Sequence, residues 1–407
     1  MSMFNDRQSL PPRPAATPLG PIAPLTKRAD RKPVRGERGF NLIELLMSMT
    51  MASIMFMATV TMFVHQGDVL QSQNQLIDTN REARFVIEHL RRDLASLGSN
   101  ATPNSLVDPM VCLKPDVPLR AITVSIEDGY VNDPILNPNV RPAAMTLFGS
   151  LDIKQRFKTA SMDADKVFLF DDGTLPATQD VMDQYFSTDR YLRITGVDGK
   201  MMYLSIVSSS AGDHSVTVSA PIPKMGPGQA CGYQGFGQNY KIDVQNFVRY
   251  RIIADSRPGA VTSKNGAVER GLLVRENLGL DGATLKKQTI LAENAVDLAM
   301  YDLFFDSDPS PDVLQPLLVP LLDDVVQKNG GGVLGTNNGA KPESLRFLTV
   351  KVSLRSEWAD KNLVHQQRQF LYGPLMTWKV ADDGRGAYPV STVATRVTMP
   401  TMTSRNL

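Results

Sequence analysis

The chain has 407 residues, 42% of them hydrophobic and 21% charged, which is enough apolar material for one sizeable core or two. Its two cysteines exclude a small disulfide scaffold, and ordinary apolar content with balanced charge excludes disorder along the whole chain. Forty-three basic against forty-two acidic residues leave a net charge of +1, so no global field draws in nucleic acid, and four histidines with two cysteines leave little for a transition-metal site.

Residues 1–39 read as a tail. Pro11, Pro12, Pro14, Pro18, Pro21 and Pro24 fall within one short stretch. Proline removes a backbone donor and is excluded from helix interiors, so an extended, disordered segment is expected. A basic cluster follows: Lys27, Arg28, Arg31, Lys32, Arg35 and Arg38.

Residues 40–64 read FNLIELLMSMTMASIMFMATVTMFV. The run has one charged residue, Glu44, and no glycine or proline. A helix needs about 20 apolar residues to cross a bilayer, and Leu, Met and Ala are strong helix formers. The basic flank on the N-terminal side would stay cytoplasmic and send the C-terminus across. A cleaved secretory signal fails here, because the run is too long and lacks a small-x-small exit. A plain anchor explains the length and leaves Glu44 unexplained, since a carboxylate inside a membrane helix is costly.

The helical pattern continues over 65–98. Val69, Leu76, Ala83, Val86, Ile87, Leu90, Leu94 and Leu97 form one apolar stripe. Arg81, Glu82, Arg84, Glu88, Arg91, Arg92 and Asp93 are assigned to the other faces, and His89 to the helix surface. Gly98, Ser99 and Asn100 make a reasonable stop. One helix over both segments would be about 85 Å long.

From residue 99 the chain reads as a β-rich globular domain. Candidate strands are 121–126, 166–170, 191–195, 201–208, 215–220, 246–253, 271–275, 297–305, 345–354 and 367–371, with turn signals between several. The strands at 191–195 and 201–208 flank a good hairpin turn. The Gly/Asn-rich stretch 327–342 reads as a loop. The fold class is therefore α+β: a long N-terminal helix, half membrane and half amphipathic, packed on a large antiparallel β-rich domain.

Residues 39–46, Gly-Phe-Asn-Leu-Ile-Glu-Leu-Leu, closely resemble the type IV prepilin processing motif. The resemblance implies cleavage by a membrane prepilin peptidase between Gly39 and Phe40. It implies N-methylation of Phe40 and an assembly role for Glu44, the fifth mature residue. It implies a pilin-like fold, with residues 1–39 the cleaved leader. Asn41 departs from the Thr or Ser more usual at that place. Glycine before the cut leaves room for a protease at the backbone. Glu44, negative in low dielectric, needs a cationic partner, and the amine of Phe40 on a neighbouring subunit can supply one.

Major pilins are typically shorter, which points to a minor pilin. Residues 84–94, RFVIEHLRRDL, resemble the matching helix of PilW-like minor pilins and of J-class type II secretion pseudopilins. The stretches 248–250, 273–275, 291–296 with Tyr301, and 348–354 are weaker matches, as is the C-terminal SRNL. The PilW-like reading implies a subunit that primes pilus assembly, in a tip complex. Its partners would be the prepilin peptidase, other minor pilins, the major pilin, the inner-membrane assembly platform and, before assembly, the lipid bilayer. It would be a single-pass inner-membrane protein with a periplasmic C-terminus, then part of the pilus. The alternative is a J-class pseudopilin. A leader of 39 residues is long for this class, so residues 1–33 read as an extension ahead of a start at Val34 or as a dispensable tail.

Cys112 and Cys231 both follow the membrane segment and are a candidate disulfide. The acidic run 306–312 lacks the glycine and the final glutamate of a calcium loop and reads as a solvated turn. Gly226, Gly228 and Gly232 lack the Lys-Ser/Thr ending of a phosphate loop. His65, His89, His214 and His365 lack metal spacing. Neither G-x-S-x-G nor H-E-x-x-H occurs. No catalytic residue, cofactor or metal is expected.

Overall fold

The computed structural model describes residues 41–97, 101–113, 115–126, 137, 140, 142–226, 231–257, 270–305, 317–321, 345–360, 363–364, 377–379 and 386–399. Gly39, Phe40, the acidic run 306–312, the loop 327–342, His365 and the candidate strand 367–371 lie outside them. The chain divides into two compact units, residues 1–65 and 66–407. The protein is α+β, with one long apolar N-terminal helix and a large β-rich domain.

Helix α1 spans Leu42–Ser96. Within it Gly67 is the one glycine, and proline is absent. In the first unit every described residue is exposed, Leu42 to Val64 included. In the second unit its buried residues are Thr79, Ala83, Val86, Ile87, Leu90, Asp93 and Leu94, a stripe at helical spacing. The stripe starts later than the apolar pattern indicates. Val69 and Leu76 carry the right side chains, yet both are exposed.

The second unit contains an eleven-stranded and a five-stranded sheet. The strands of the first are β1 (Val111–Leu113), β2 (Ile122–Ile126), β3 (Ala143–Gly149), β4 (Arg156–Asp163), β5 (Lys166–Leu169), β6 (Tyr191–Thr195), β7 (Met201–Ser210), β8 (Ser215–Val218), β9 (Lys241–Ala254), β10 (Gly271–Leu278) and β11 (Leu285–Ala292). Pairing is antiparallel except between β1 and β7. The second sheet runs in the order β13 (Leu317–Leu321), β12 (Ala295–Phe305), β14 (Leu345–Arg355), β16 (Tyr388–Thr398), β15 (Thr377–Trp378). Short helix α2 (Gln179–Tyr185) buries Met182.

Strand β9 is the spine of the unit. Its first half pairs with β4 and β6, and its second half with β3 and β10. Ile242 and Val244 enter one core, with Phe157, Met182, Phe186 and Leu204. Val248, Tyr250 and Ile252 enter another, with Leu90 and Leu94 of α1, Met145 of β3, Leu298 of β12 and Val352 of β14. One strand thus ties two cores together. The helix runs antiparallel to it: Asp93 meets Tyr250, whereas Leu97 lies by Gly149, the partner of Asn246.

The hairpin β6–β7 has Tyr191 opposite Ser205 and Thr195 opposite Met201. Strands β1, β3, β4, β11, β13, β15 and β16, together with α2, had no counterpart among the expected elements. β4 reads RFKTASMD and β11 reads LKKQTILA. Both are polar for their length, and pairing to neighbours makes them strands.

Cys112 and Cys231 are joined in a disulfide, with a Cα–Cα distance of 5.5 Å and a sequence separation of 119. Both pack against the core around Phe157 and Leu204. Closing a loop of this length restricts the unfolded chain, so replacing both cysteines with serine is expected to cost about 2–5 kcal/mol. Thermal unfolding of the two proteins side by side measures it. An unchanged midpoint would show that the bond adds nothing.

Candidate functional site

Two features beyond ordinary packing stand out: the bare first part of α1, and the polar seam that holds its last part.

The first part is apolar on all sides, and none of its most hydrophobic 18-residue window is buried. It is long and apolar enough to cross a membrane. Its five hydroxyls all turn inward. Ser48 donates to the carbonyl of Leu45, Thr50 to Met47, Ser53 to Met49, Thr59 to Met55 and Thr61 to Met57, at 2.7–2.9 Å. Each hydroxyl proton is therefore bonded within the helix, which is what a hydrocarbon solvent demands. Met49, Ala52, Ser53, Phe56, Met57, Val60 and Thr61 line a shallow apolar groove along one face. The small Ala52 and Ser53 open it.

Glu44 breaks this pattern. It lies in the first turn, with its backbone N–H donating to the Asn41 carbonyl at 2.8 Å. Its carboxylate has no hydrogen-bond or ion-pair partner among the described residues. The helix N-terminus favours a negative charge there, but a lone carboxylate entering lipid still needs a cation. Gly39 and Phe40 lie outside the described residues.

The seam begins at Asp93. Sequence pattern places Asp93 among the exposed charges, and the structure buries it. Its carboxylate accepts from the Tyr250 hydroxyl at 2.5 Å and lies 3.4 Å from Nε of Arg275. Arg275 extends to Asp152 at 2.7 Å, and Asn277 donates to the same carboxylate at 2.8 Å. Burial, and then the Asp93 charge, push the Tyr250 phenol far above its ordinary range, so it stays a neutral donor. Helix α1 is thereby tied to β9, β10 and the loop after β3. The only sequence signal was a carboxylate one position before Leu94 of the stripe.

His89 also differs from expectation. It is half-buried, with its ring 6.5 Å from Phe85 and 6.3 Å from Tyr250. Its Nε2 is buried without a hydrogen-bond partner among the described residues. Desolvation lowers its pKa from the ordinary 6.5, against the attraction of Asp93 and with the repulsion of Arg275, Arg92 and Lys154. A folded-state pKa below the unfolded value stabilises the fold above pH 6.5, and that contribution is lost as pH falls through the folded value. Denaturation at about pH 7.5 and 5.5 is expected to show a loss on acidification that His89→Gln reduces. Equal losses in the two proteins would remove His89 as the cause.

Among the described residues no three His, Cys, Asp or Glu side chains converge as a metal site. His214 lies 4.0 Å from Asp171 at the surface. Comparison with protein families, with curated proteins and with solved structures found no match.

Proposed function

We propose that this chain is a PilW-like minor pilin. It is cut between Gly39 and Phe40, methylated at Phe40, and helps to start assembly of a type IV pilus in a tip or priming complex. One observation carries the reading. Between Leu42 and Val64, where the helix is apolar on every side and its hydroxyls bond inward, the sole charge is a carboxylate without a partner among the described residues, five residues after the glycine of a prepilin-like motif. After cleavage the new amine of a neighbouring subunit neutralises Glu44 and sets the axial register between helices. The long, uncovered apolar helix suits storage in the inner membrane and then packing in a filament core. The β-rich domain would sit in the periplasm, where a disulfide persists.

Intact mass and N-terminal sequencing of membrane-extracted protein test the reading. The expected mature chain begins with N-methylated Phe40. Retention of residues upstream of Gly39 in peptidase-competent cells would make the protein an ordinary anchored one and overturn the proposal.

A further inference from the structure

Strand β9 passes from one layer to another, and the register at the crossing is informative. Its second half pairs with β3, and the final partners are Gly149 and Asn246. The chain therefore leaves the layer that holds α1 at Gly149 and re-enters it directly opposite, at Asn246. Antiparallel partners lie about 5 Å apart. β3 and β9 thus have the geometry of a hairpin whose turn is replaced by a long insertion.

The insertion closes on itself. β4 pairs with β5, β5 with β8, β8 with β7 and β7 with β6. β6 then pairs with the first half of β9, which pairs with β4 on its other side. Every pairing in this ring is antiparallel, and each strand has a hydrogen-bonded neighbour on both sides, which removes sheet edges. Inward positions alternate as a barrel requires: Leu192 and Ile194 of β6, Met202, Leu204 and Ile206 of β7, Ile242 and Val244 of β9. Met182 of α2 and Phe186 after it join the same core. The buried members of that core all lie between Phe157 and Val244, whereas Leu90 and Leu94 of α1 belong to the other core.

The barrel and the helix-bearing layer meet at a few aromatic rings and one carboxylate. Tyr191 and Tyr203 of the barrel contact Phe148 of β3, and Tyr191 also contacts Phe247 of β9. Phe148 and Phe247 lie 4.7 Å apart within their own layer, and Ala101, Leu119 and Leu278 pack with them. Asp152, just past the exit, accepts from Arg275 and Asn277 of β10 and lies 3.5 Å from Arg190 ahead of β6. β1 travels with the barrel, paired to β7 and bonded through Cys112 to Cys231. Opening of the ring would uncover the tyrosine side of this contact. The strand pairing of β3, β10, β12 and β14 and the core beneath α1 would stay in place.

We propose that β4 to β8, with the first half of β9, form an inserted barrel that opens and closes as its own cooperative unit while helix α1 stays docked. This concerns the β-rich domain alone and holds whether or not the chain is a pilin.

Hydrogen exchange of the full chain in detergent, followed amide by amide at rising sub-denaturing urea, tests this. Leu204→Ala removes a buried side chain from the barrel core, and Leu348→Ala removes one from the core beneath α1. Leu204→Ala is expected to speed exchange about a hundredfold throughout the barrel strands and to leave α1 and β14 unchanged. Leu348→Ala is expected to speed exchange by a similar factor in α1 and β14 and to leave β5, β7 and β8 unchanged. The boundary falls inside β9: Ile242 and Val244 follow the barrel, and Val248 and Ile252 follow the helix. If Leu204→Ala leaves no folded protein, the milder Ile194→Val makes the same comparison at roughly fivefold. Equal acceleration of the barrel and of α1 by either barrel substitution would show one cooperative unit and overturn the proposal. Acceleration confined to the immediate neighbours of the substituted residue would overturn it as well, because the ring would then not open as a unit.

Discussion

Replacing Glu44 with alanine is expected to leave the chain cut and membrane-inserted but to keep it out of the filament. The carboxylate has no hydrogen-bond or ion-pair partner among the described residues, so its removal should not unfold the helix or the β-rich domain. On the proposed reading it removes the counter-charge for the amine of Phe40 on a neighbour. An amine left unpaired among apolar helices costs about 3–5 kcal/mol, the range found when one partner of a buried ion pair is deleted. That corresponds to roughly a hundredfold loss of incorporation or more. Glu44→Gln should fail as well, because the amide keeps the shape and loses the charge. Immunoblots of sheared filaments against the membrane fraction measure the ratio. Equal recovery of wild type and Glu44→Ala would show that the carboxylate plays no part in assembly, and would remove the main support for the proposed role.

The second large effect is expected at Asp93. Asp93→Ala deletes the acceptor of the buried Tyr250 hydroxyl and one of the two carboxylates around Arg275. Asp152 still holds the guanidinium, so a loss at the lower end of the buried-pair range, about 3 kcal/mol, is expected. Tyr250→Phe removes one buried donor and should cost about 1–3 kcal/mol. Because the two groups bond each other, the double substitution should cost less than the sum of the single ones. Asp93→Asn keeps an acceptor for Tyr250 and should recover part of the loss. Urea unfolding of the detergent-solubilised chain gives the energies. Hydrogen exchange over residues 79–97 shows whether the helix loosens first. A change in stability within about 0.5 kcal/mol for Asp93→Ala, the scale of a neutral surface substitution, would mean that apolar packing alone docks the helix.

The seam and the bare segment place different demands on one helix. Between Leu42 and Val64 every hydroxyl bonds within the helix, and Glu44 is the one charge. Beyond Thr79 the helix has polar partners elsewhere in the chain: Glu82 accepts from the Glu293 N–H, and Asp93 meets Tyr250 and Arg275.

Much of this was legible in the order of residues. The apolar helix follows from a long run rich in Leu, Met and Ala and free of glycine and proline, because helix propensity and lipid length are local properties. The β6–β7 hairpin follows from a short turn between two alternating runs. Glu44 stands out because a lone charge in an apolar run is visible without coordinates, and so is the pair of cysteines. Other features were decided only by tertiary structure. β4 and β11 are polar segments that become strands because neighbours supply the missing hydrogen bonds, a long-range term absent from any local window. β9 looks in sequence like one ordinary strand, and only the fold shows it serving two cores. Asp93 and His89 looked like surface residues by periodicity. A buried carboxylate is tolerable where a phenol and a guanidinium from strands β9 and β10 reach it, and those partners lie 157 and 182 residues away in sequence. Local pattern therefore determined where the chain can meet a membrane and where it carries a charge there. Long-range pairing decided which polar groups could be buried, because the partners that offset their desolvation come from distant parts of the chain.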